Sequence, residues 1–226
     1  MNILAREISF DQTRIVADIG SGTGILSKLF LENGNRVFAV EPNEEMRRIA
    51  EKTLAKYPGF VSIDAKAEDT TISDASADLA TVGQALHWFD TTLAPREFAR
   101  ILNSNGHLCV LYNDRNKESA FMKAYDQVVQ KYARDRAKVP DINQDLLSKF
   151  YRGAKYSKFE LPNEQFLDYN GLLSRMTSAS YMPRPEETKV FSSLTNDIEG
   201  LFNGYESSGK VRLAYRTAVF LGQIGR

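Results

Sequence analysis

The chain reads as an α/β protein built on an open, mostly parallel sheet, and three observations carry that reading. Residues 16–24, Val-Ala-Asp-Ile-Gly-Ser-Gly-Thr-Gly, run from an apolar strand into a glycine turn, and an amphipathic helix opens at Ile25. A second strand, Arg36–Val40, ends in Glu41-Pro42-Asn43, an acid about 20 positions past the first glycine. Further apolar runs at 60–63, 79–82 and 107–112 alternate with helical periods, the pattern of parallel strands joined by crossover helices. A length of 226 residues suffices for one domain with a full core.

Composition narrows the function classes. The 29 basic and 29 acidic residues cancel, and no lysine or arginine stripe forms, so binding to nucleic acid through phosphate neutralisation has no support. One cysteine, Cys109, excludes an internal disulfide, and with only two histidines no metal cluster is recognisable. A reducing cytosol is the natural compartment. The first ten residues carry Arg6 and Glu7 and do not form a signal peptide. No segment approaches the ~18 to 20 apolar residues of a membrane span.

The glycine turn is the chemical centre. Gly20, Gly22 and Gly24 follow G-x-G-x-G, unlike the G-x-G-x-x-G of dinucleotide folds. Glycine lets backbone approach a ligand and adopts positive φ cheaply, while N–H groups at the helix start face an anion. Asp18, a carboxylate at the end of an apolar strand, must ionise toward a ligand or be capped by local donors. A glycine turn without a ligand is the alternative.

This segment, with Asp18, Gly20, Ser21, Gly22 and Gly24, resembles the first motif of the class I S-adenosylmethionine-dependent methyltransferases. The resemblance implies a Rossmann-like three-layer sandwich with a mostly parallel seven-stranded sheet, an antiparallel last strand and a small helical insertion after strand five. It implies a single domain over 1–226, the insertion at 114–152, and S-adenosylmethionine as cofactor.

The elements follow in order. Residues 3–8 make one or two helical turns, shorter than the segment that folds over the cofactor in the family, which leaves cofactor enclosure open. Glu41, with Pro42 and Asn43 beside it, is placed to accept both ribose hydroxyls. The alternative is an exposed acid that favours the next helix dipole. Asn43 caps a helix over 44–56 with Met46, Ile49, Ala50 and Leu54 inward, ended by Tyr57-Pro58-Gly59. After the third strand, the resemblance puts Ala67 and Glu68 at the adenine edge, with Asp64 or Lys66 as neighbours; an acidic surface loop is the other reading.

Residues 73–78 form a loop and 79–82 the fourth strand. The following Gly83-Gln84-Ala85-Leu86-His87-Trp88-Phe89-Asp90 faces the same crevice as the glycine turn, because ligands lie beyond the carboxyl ends of parallel strands. Gln-Ala-Leu-His-Trp-Phe resembles the subgroup that methylates small molecules, which implies Gln84 at the cofactor and His87 and Trp88 at the methyl group or acceptor. His87 is either a general base or a structural histidine. Trp88 either packs or borders the ligand, with packing favoured.

A helix over 93–102 carries Phe98, Ile101 and Leu102 inward, and Asn105-Gly106 turns into the fifth strand, 107–112. His107 at its start is structural, while Tyr112, Asn113 and Arg115 emerge at the crevice end. Residues 118–134 form an amphipathic helix through Phe121, Tyr125, Val128, Val129 and Tyr132, followed by a helix over 144–150. This insertion roofs an acceptor pocket or simply packs. Then come a strand over 155–161, a helix over 164–176 with Phe166, Leu172 and Leu173 inward, and a loop over 178–185. By resemblance, Tyr181 in that loop approaches the pocket. A helix over 185–202 and a strand over 211–221 close the chain.

The function implied is methyl transfer to a small-molecule acceptor by direct in-line displacement, without nucleic-acid or membrane partners, in a monomer or homodimer. His87 serves as base for a hydroxyl acceptor, and a carboxylate acceptor needs a cation such as Arg115 or Arg184. A cofactor-binding protein without transferase activity and an NAD-dependent oxidoreductase are the other classes.

Overall fold

A computed structural model describes residues 1–134, 142–179 and 181–225. Seven strands form one sheet in the order β3-β2-β1-β4-β5-β7-β6: β1 is Ile15–Ile19, β2 Arg36–Val40, β3 Phe60–Ile63, β4 Ala77–Gly83, β5 Leu102–Arg115, β6 Ser157–Leu167 and β7 Val211–Gly222. The strands from β3 to β5 pair in parallel, and β5, β7 and β6 pair antiparallel. The helices are α1 (Asn2–Ile8), α2 (Ile25–Glu32), α3 (Glu44–Leu54), α4 (Leu93–Ile101), α5 (Ala120–Tyr132), α6 (Gln144–Phe150), α7 (Tyr169–Thr177) and α8 (Thr188–Tyr205). This is the expected Rossmann-like α/β fold with its antiparallel last strand.

The backbone divides into two compact units. The first comprises Met1–Tyr112, Asp141–Phe159 and Val219–Arg226, the second Asn113–Pro140 and Glu160–Ala218. In the first, β1 lies between β2 and β4, and Val16, Ala17 and Ile19 are fully buried. A strand covered on both faces loses all water contact, which is why it reads as a continuous apolar run. Its entry is held by Asp78, which accepts from Ile15 N at 2.8 Å and from Arg14 and Asn103 side chains. Buried Asn35 ties the turn before β2 to Asp11 O and Arg14 O, both at 2.8 Å. Tyr151, after α6, donates its hydroxyl between Phe220 O at 2.8 Å and Leu108 O at 3.2 Å.

The second unit packs α5, α7 and α8 around Met122, Leu172, Leu194, Ile198 and Leu213, all without solvent contact. Ser119 caps α5 by accepting from Met122 N, and Asp168 caps α7 by accepting from Gly171 N.

Several local expectations are corrected. The expected helix over 164–176 begins only at Tyr169, because Asp168 is its cap and β6 runs through Leu167. Phe166 is accordingly not inward but 61% exposed on a strand. Pro162 does not end β6, since β6 is the sheet edge, where a missing N–H costs no ladder bond. Asn105-Gly106 does not precede β5 as a turn. It sits in an irregularity within it, where pairing jumps from Ala77 with Leu102 to Leu79 with His107. On α3, Ala50 and Leu54 are buried, but Met46 and Ile49 are 46% and 52% exposed, so the inward stripe is narrower than its periodicity suggests. The last helix is also displaced toward the C-terminus, to 188–205.

Candidate active site

The site of the first unit is built at the carboxyl ends of β1, β2 and β4. Register places Asp18 between Ala39 of β2 and Thr81 of β4, and Ile19 beside Val40. The chain then leaves β1 through Gly20, Gly22 and Gly24, with φ of 67°, 57° and 81°, values that cost an L side chain about 1–2 kcal/mol. Val40 O accepts from both Gly20 N and Ser21 N, at 2.9 and 3.0 Å, which folds the loop over the end of β2.

The three glycines do different work. A Cβ on Gly20 would stand 2.8 Å from Ala85 Cβ and 3.0 Å from the Phe89 ring, and one on Gly24 would stand 2.6 Å from Leu54 Cδ1. Those two permit close packing. A Cβ on Gly22 would meet only Met46 Sδ, at 3.9 Å, so this backbone borders open space.

Glu41, 7% exposed, spans the loop and the start of α3: Oε2 accepts from Gly22 N and Oε1 from Asn43 N, both at 2.8 Å. The adjacent Pro42 and Asn43 are exposed, and Asn43 caps α3 by accepting from Met46 N. Arg47 donates to Glu41 O at 3.0 Å and pairs with Asp64 at 2.9 Å, joining the ends of β2 and β3.

Asp18 turns inward. Its oxygens accept from Ser27 Oγ at 2.5 Å and Thr81 Oγ1 at 3.0 Å, and it is 1% exposed. Burial pushes its carboxyl up to about 6 against those two hydroxyl donors. Of the two outcomes expected for this residue, capping by donors describes the geometry, and it anchors α2 to β4.

The loops after β3 and β4 meet beside it. Ala67 is buried, and Glu68 Oε1 accepts from Asp90 N at 2.8 Å. Asp90 in turn accepts from Thr92 N and Leu93 N at the start of α4, which holds its carboxyl below the usual range. Gln84, exposed at the end of β4, has φ 60° while its N–H donates to Leu111 O. A non-glycine residue in that conformation stores strain of order 1–3 kcal/mol, which is typical of functional sites.

Next comes a single 3-10 turn, Leu86–Trp88. His87 Nδ1 lies 3.3 Å from Tyr112 Oη, and burial lowers the imidazole below its ordinary value. Tyr112 is itself buried and its phenol is raised by that burial. Trp88 is 67% exposed, which corrects the favoured packing role: its ring rests against His87, at 4.9 Å between centroids, and not in a core.

A family model described as a methyltransferase domain matches residues 17–110, the segment from β1 through β5 that carries these groups. That match takes in less than half of the 226 residues, and what it establishes is a likeness to methyltransferase domains. An uncharacterized methyltransferase-like protein of Schizosaccharomyces pombe is 24% identical over 221 residues, 95% of this chain and 84% of that protein. An uncharacterized methyltransferase of Mycobacterium tuberculosis is 33% identical over 131 residues, 57% of this chain and 53% of its own length. The crystal structure of YcgJ from Bacillus subtilis aligns over 100% of this chain and 98% of its own, with TM-score 0.62 and 16% identity, a likeness of fold.

The glycine loop fits a polar ligand on one further observation. Ser21 Oγ is buried and has no hydrogen-bond partner among the described residues, beside the open face of Gly22. A buried hydroxyl left unpaired costs about 1–3 kcal/mol, and a ligand acceptor or donor there would remove that cost.

The remaining candidates lie in the second unit. Asn113 is tied into the strands, its Oδ1 accepting from Thr217 Oγ1 at 2.6 Å and from Asn163 at 3.3 Å. Tyr181 Oη accepts from Arg115 at 2.8 Å, and Arg115 also pairs with Asp126 at 3.0 Å. Sequence reasoning missed Ser27 and Thr81, which hold Asp18, and Phe89, which backs Gly20. A pattern search for hydroxyls could have found Ser27 one helical turn after the glycines, but Thr81 needs the register of β4.

Proposed function

We propose that this chain uses S-adenosylmethionine and methylates a small-molecule acceptor by in-line displacement. The observation that carries the reading is the pairing of an orphaned Ser21 hydroxyl with an open Gly22 backbone, next to a carboxylate, Glu41, at the end of β2. When bound, the cofactor supplies a methyl group already activated on a sulfonium.

The chain's own residues then have distinct tasks. Glu41 accepts the ribose hydroxyls with lone pairs that Gly22 and Asn43 leave unused. Gly20, Ser21, Gly22 and Gly24 present the loop to the amino-acid portion. Asp18 positions that loop through Ser27 and Thr81. Pro42, Asn43, Ala67, Glu68 and Gln84 border the nucleoside side. His87, kept neutral near pH 7 by burial, has Nε2 available to take the proton of a hydroxyl acceptor while Tyr112 engages Nδ1. Trp88 and Tyr112 are the acceptor-side candidates of this unit. Holding the nucleophile in line with the methyl carbon supplies up to roughly 7–11 kcal/mol of the barrier reduction.

The proposed acceptor is a free small molecule, with no nucleic-acid or membrane partner, and the working form is a monomer or homodimer in the cytosol. Balanced charge supports this, and among the described residues no helix is long and apolar enough to cross a membrane. Calorimetric titration with S-adenosylmethionine, S-adenosylhomocysteine and NAD tests the reading. Saturable binding of the first two without NAD is expected. Binding of NAD alone would move the protein to redox chemistry, and cofactor binding without turnover of any acid, phenol or amine would leave a binding protein.

A further inference from the structure

The second unit gathers hydrogen-bond donors that lack an acceptor. Asp126 on α5, 5% exposed, accepts from Arg115 Nη1 at 3.0 Å, Lys117 Nζ at 2.7 Å and Gln130 Nε2 at 2.8 Å. One buried carboxylate therefore serves two cations. Arg175, in the last turn of α7, has no carboxylate partner among the described residues. Its Nε donates to Tyr215 Oη at 3.3 Å, and its guanidinium lies 5.6 Å from that ring.

The phenols link this arginine to the Asp126 group. Arg115 donates its other terminal nitrogen to Tyr181 Oη at 2.8 Å and stands 5.4 Å from the Tyr125 ring. Tyr125 and Tyr215 are buried in one cluster with Tyr181 packed against it, which brings the two arginine groups into one neighbourhood; burial pushes the Tyr125 phenol up to about 12 while Arg115 and Arg175 pull it down. The Tyr125 hydroxyl has no acceptor among the described residues, and the Tyr181 and Tyr215 oxygens already accept from arginines, so their protons point elsewhere.

We propose that this cluster is a binding site for the carboxylate of a small organic acid, held by the outer nitrogens of Arg175 and the hydroxyls of Tyr125, Tyr181 and Tyr215. Unpaired donors around one uncompensated guanidinium are complementary to an oxyanion, and the planar fork of arginine matches a carboxylate with two parallel bonds. Phosphate shares that chemistry and is the competing oxyanion in the test. The binding of the acid in this unit does not rest on the methyl-transfer reading above.

Calorimetry on the full chain, with and without saturating S-adenosylhomocysteine, compares succinate, glutarate and inorganic phosphate. A dicarboxylate is expected to bind saturably. Arg175→Gln, at an exposed side chain, weakens it by about 10-fold or more. Tyr125→Phe weakens it several-fold at unchanged Tm, because the hydroxyl lost has no hydrogen-bond partner among the described residues. A purely structural role would instead lower Tm and leave affinity alone. Equal affinity in both variants overturns the site, as does failure of every acid to bind a chain that binds S-adenosylhomocysteine. Tighter binding of phosphate with the same Arg175 dependence overturns the carboxylate assignment. Acid binding that depends on Arg175 in a chain indifferent to S-adenosylhomocysteine upholds the site and removes the methyl-transfer reading.

Discussion

Asp18→Asn isolates the energetic cost of the buried acid beneath the glycine loop. The carboxyl titrates near 3.8 when unperturbed and is raised to about 6 in the fold, chiefly by burial. Between these values the folded chain holds a proton that the unfolded chain has released, so stability falls as pH rises from about 4 through 6. The difference of about two pKa units corresponds to about 3 kcal/mol, absent at low pH and fully present at neutral pH. An asparagine keeps the shape and can still exchange hydrogen bonds with Ser27 Oγ and Thr81 Oγ1, but it never ionises. Urea unfolding followed by far-ultraviolet circular dichroism, from about pH 4 to about pH 8, gives ΔG for both proteins. The variant should gain on the wild type by about 3 kcal/mol across that window. Taking the difference removes every other titrating group. Parallel curves would refute the reasoning, because they would mean that Asp18 ionises in the fold without penalty.

Four further outcomes follow from the packing. Gly24→Ala brings a Cβ to 2.6 Å from Leu54 Cδ1 at φ 81° and should lower stability by about 2–4 kcal/mol in thermal denaturation. Gly22→Ala faces only the φ strain of about 1–2 kcal/mol, yet should weaken S-adenosylhomocysteine binding by about 10-fold, and equal affinity would count against Gly22 as the ligand-facing glycine. Tyr151→Phe removes a buried donor from between Phe220 O and Leu108 O and should cost about 1–2 kcal/mol, read as a lower urea midpoint. Trp88→Ala, at a side chain 67% exposed, should change stability by no more than about 0.5 kcal/mol, and a larger loss would restore its packing role.

The candidate site was legible where its parts are close in sequence or obey backbone rules. Three alternate glycines announce positive φ, and all three have it. An acid closing the second strand falls beside the loop closing the first, and Gly22 N does bond Glu41. Trp88 was not legible, because an aromatic residue in a loop carries no local sign of whether a neighbour covers it.

By itself the sequence determined the alternation of strands and helices, the strand, loop and helix around Gly20–Gly24, the Asn43 cap and the α/β class. These depend on side-chain period, φ preference and short-range hydrogen bonds, all properties of a few consecutive residues. Only the tertiary structure decided that Thr81 stands beside Asp18, 63 residues away, and so turns that carboxylate inward. It also decided that β6 continues past Pro162 to Leu167, which is possible because the strand lies at the sheet edge. Register and edge position are set by which distant segments pair and how much apolar surface that pairing buries, and no window of local sequence contains either quantity.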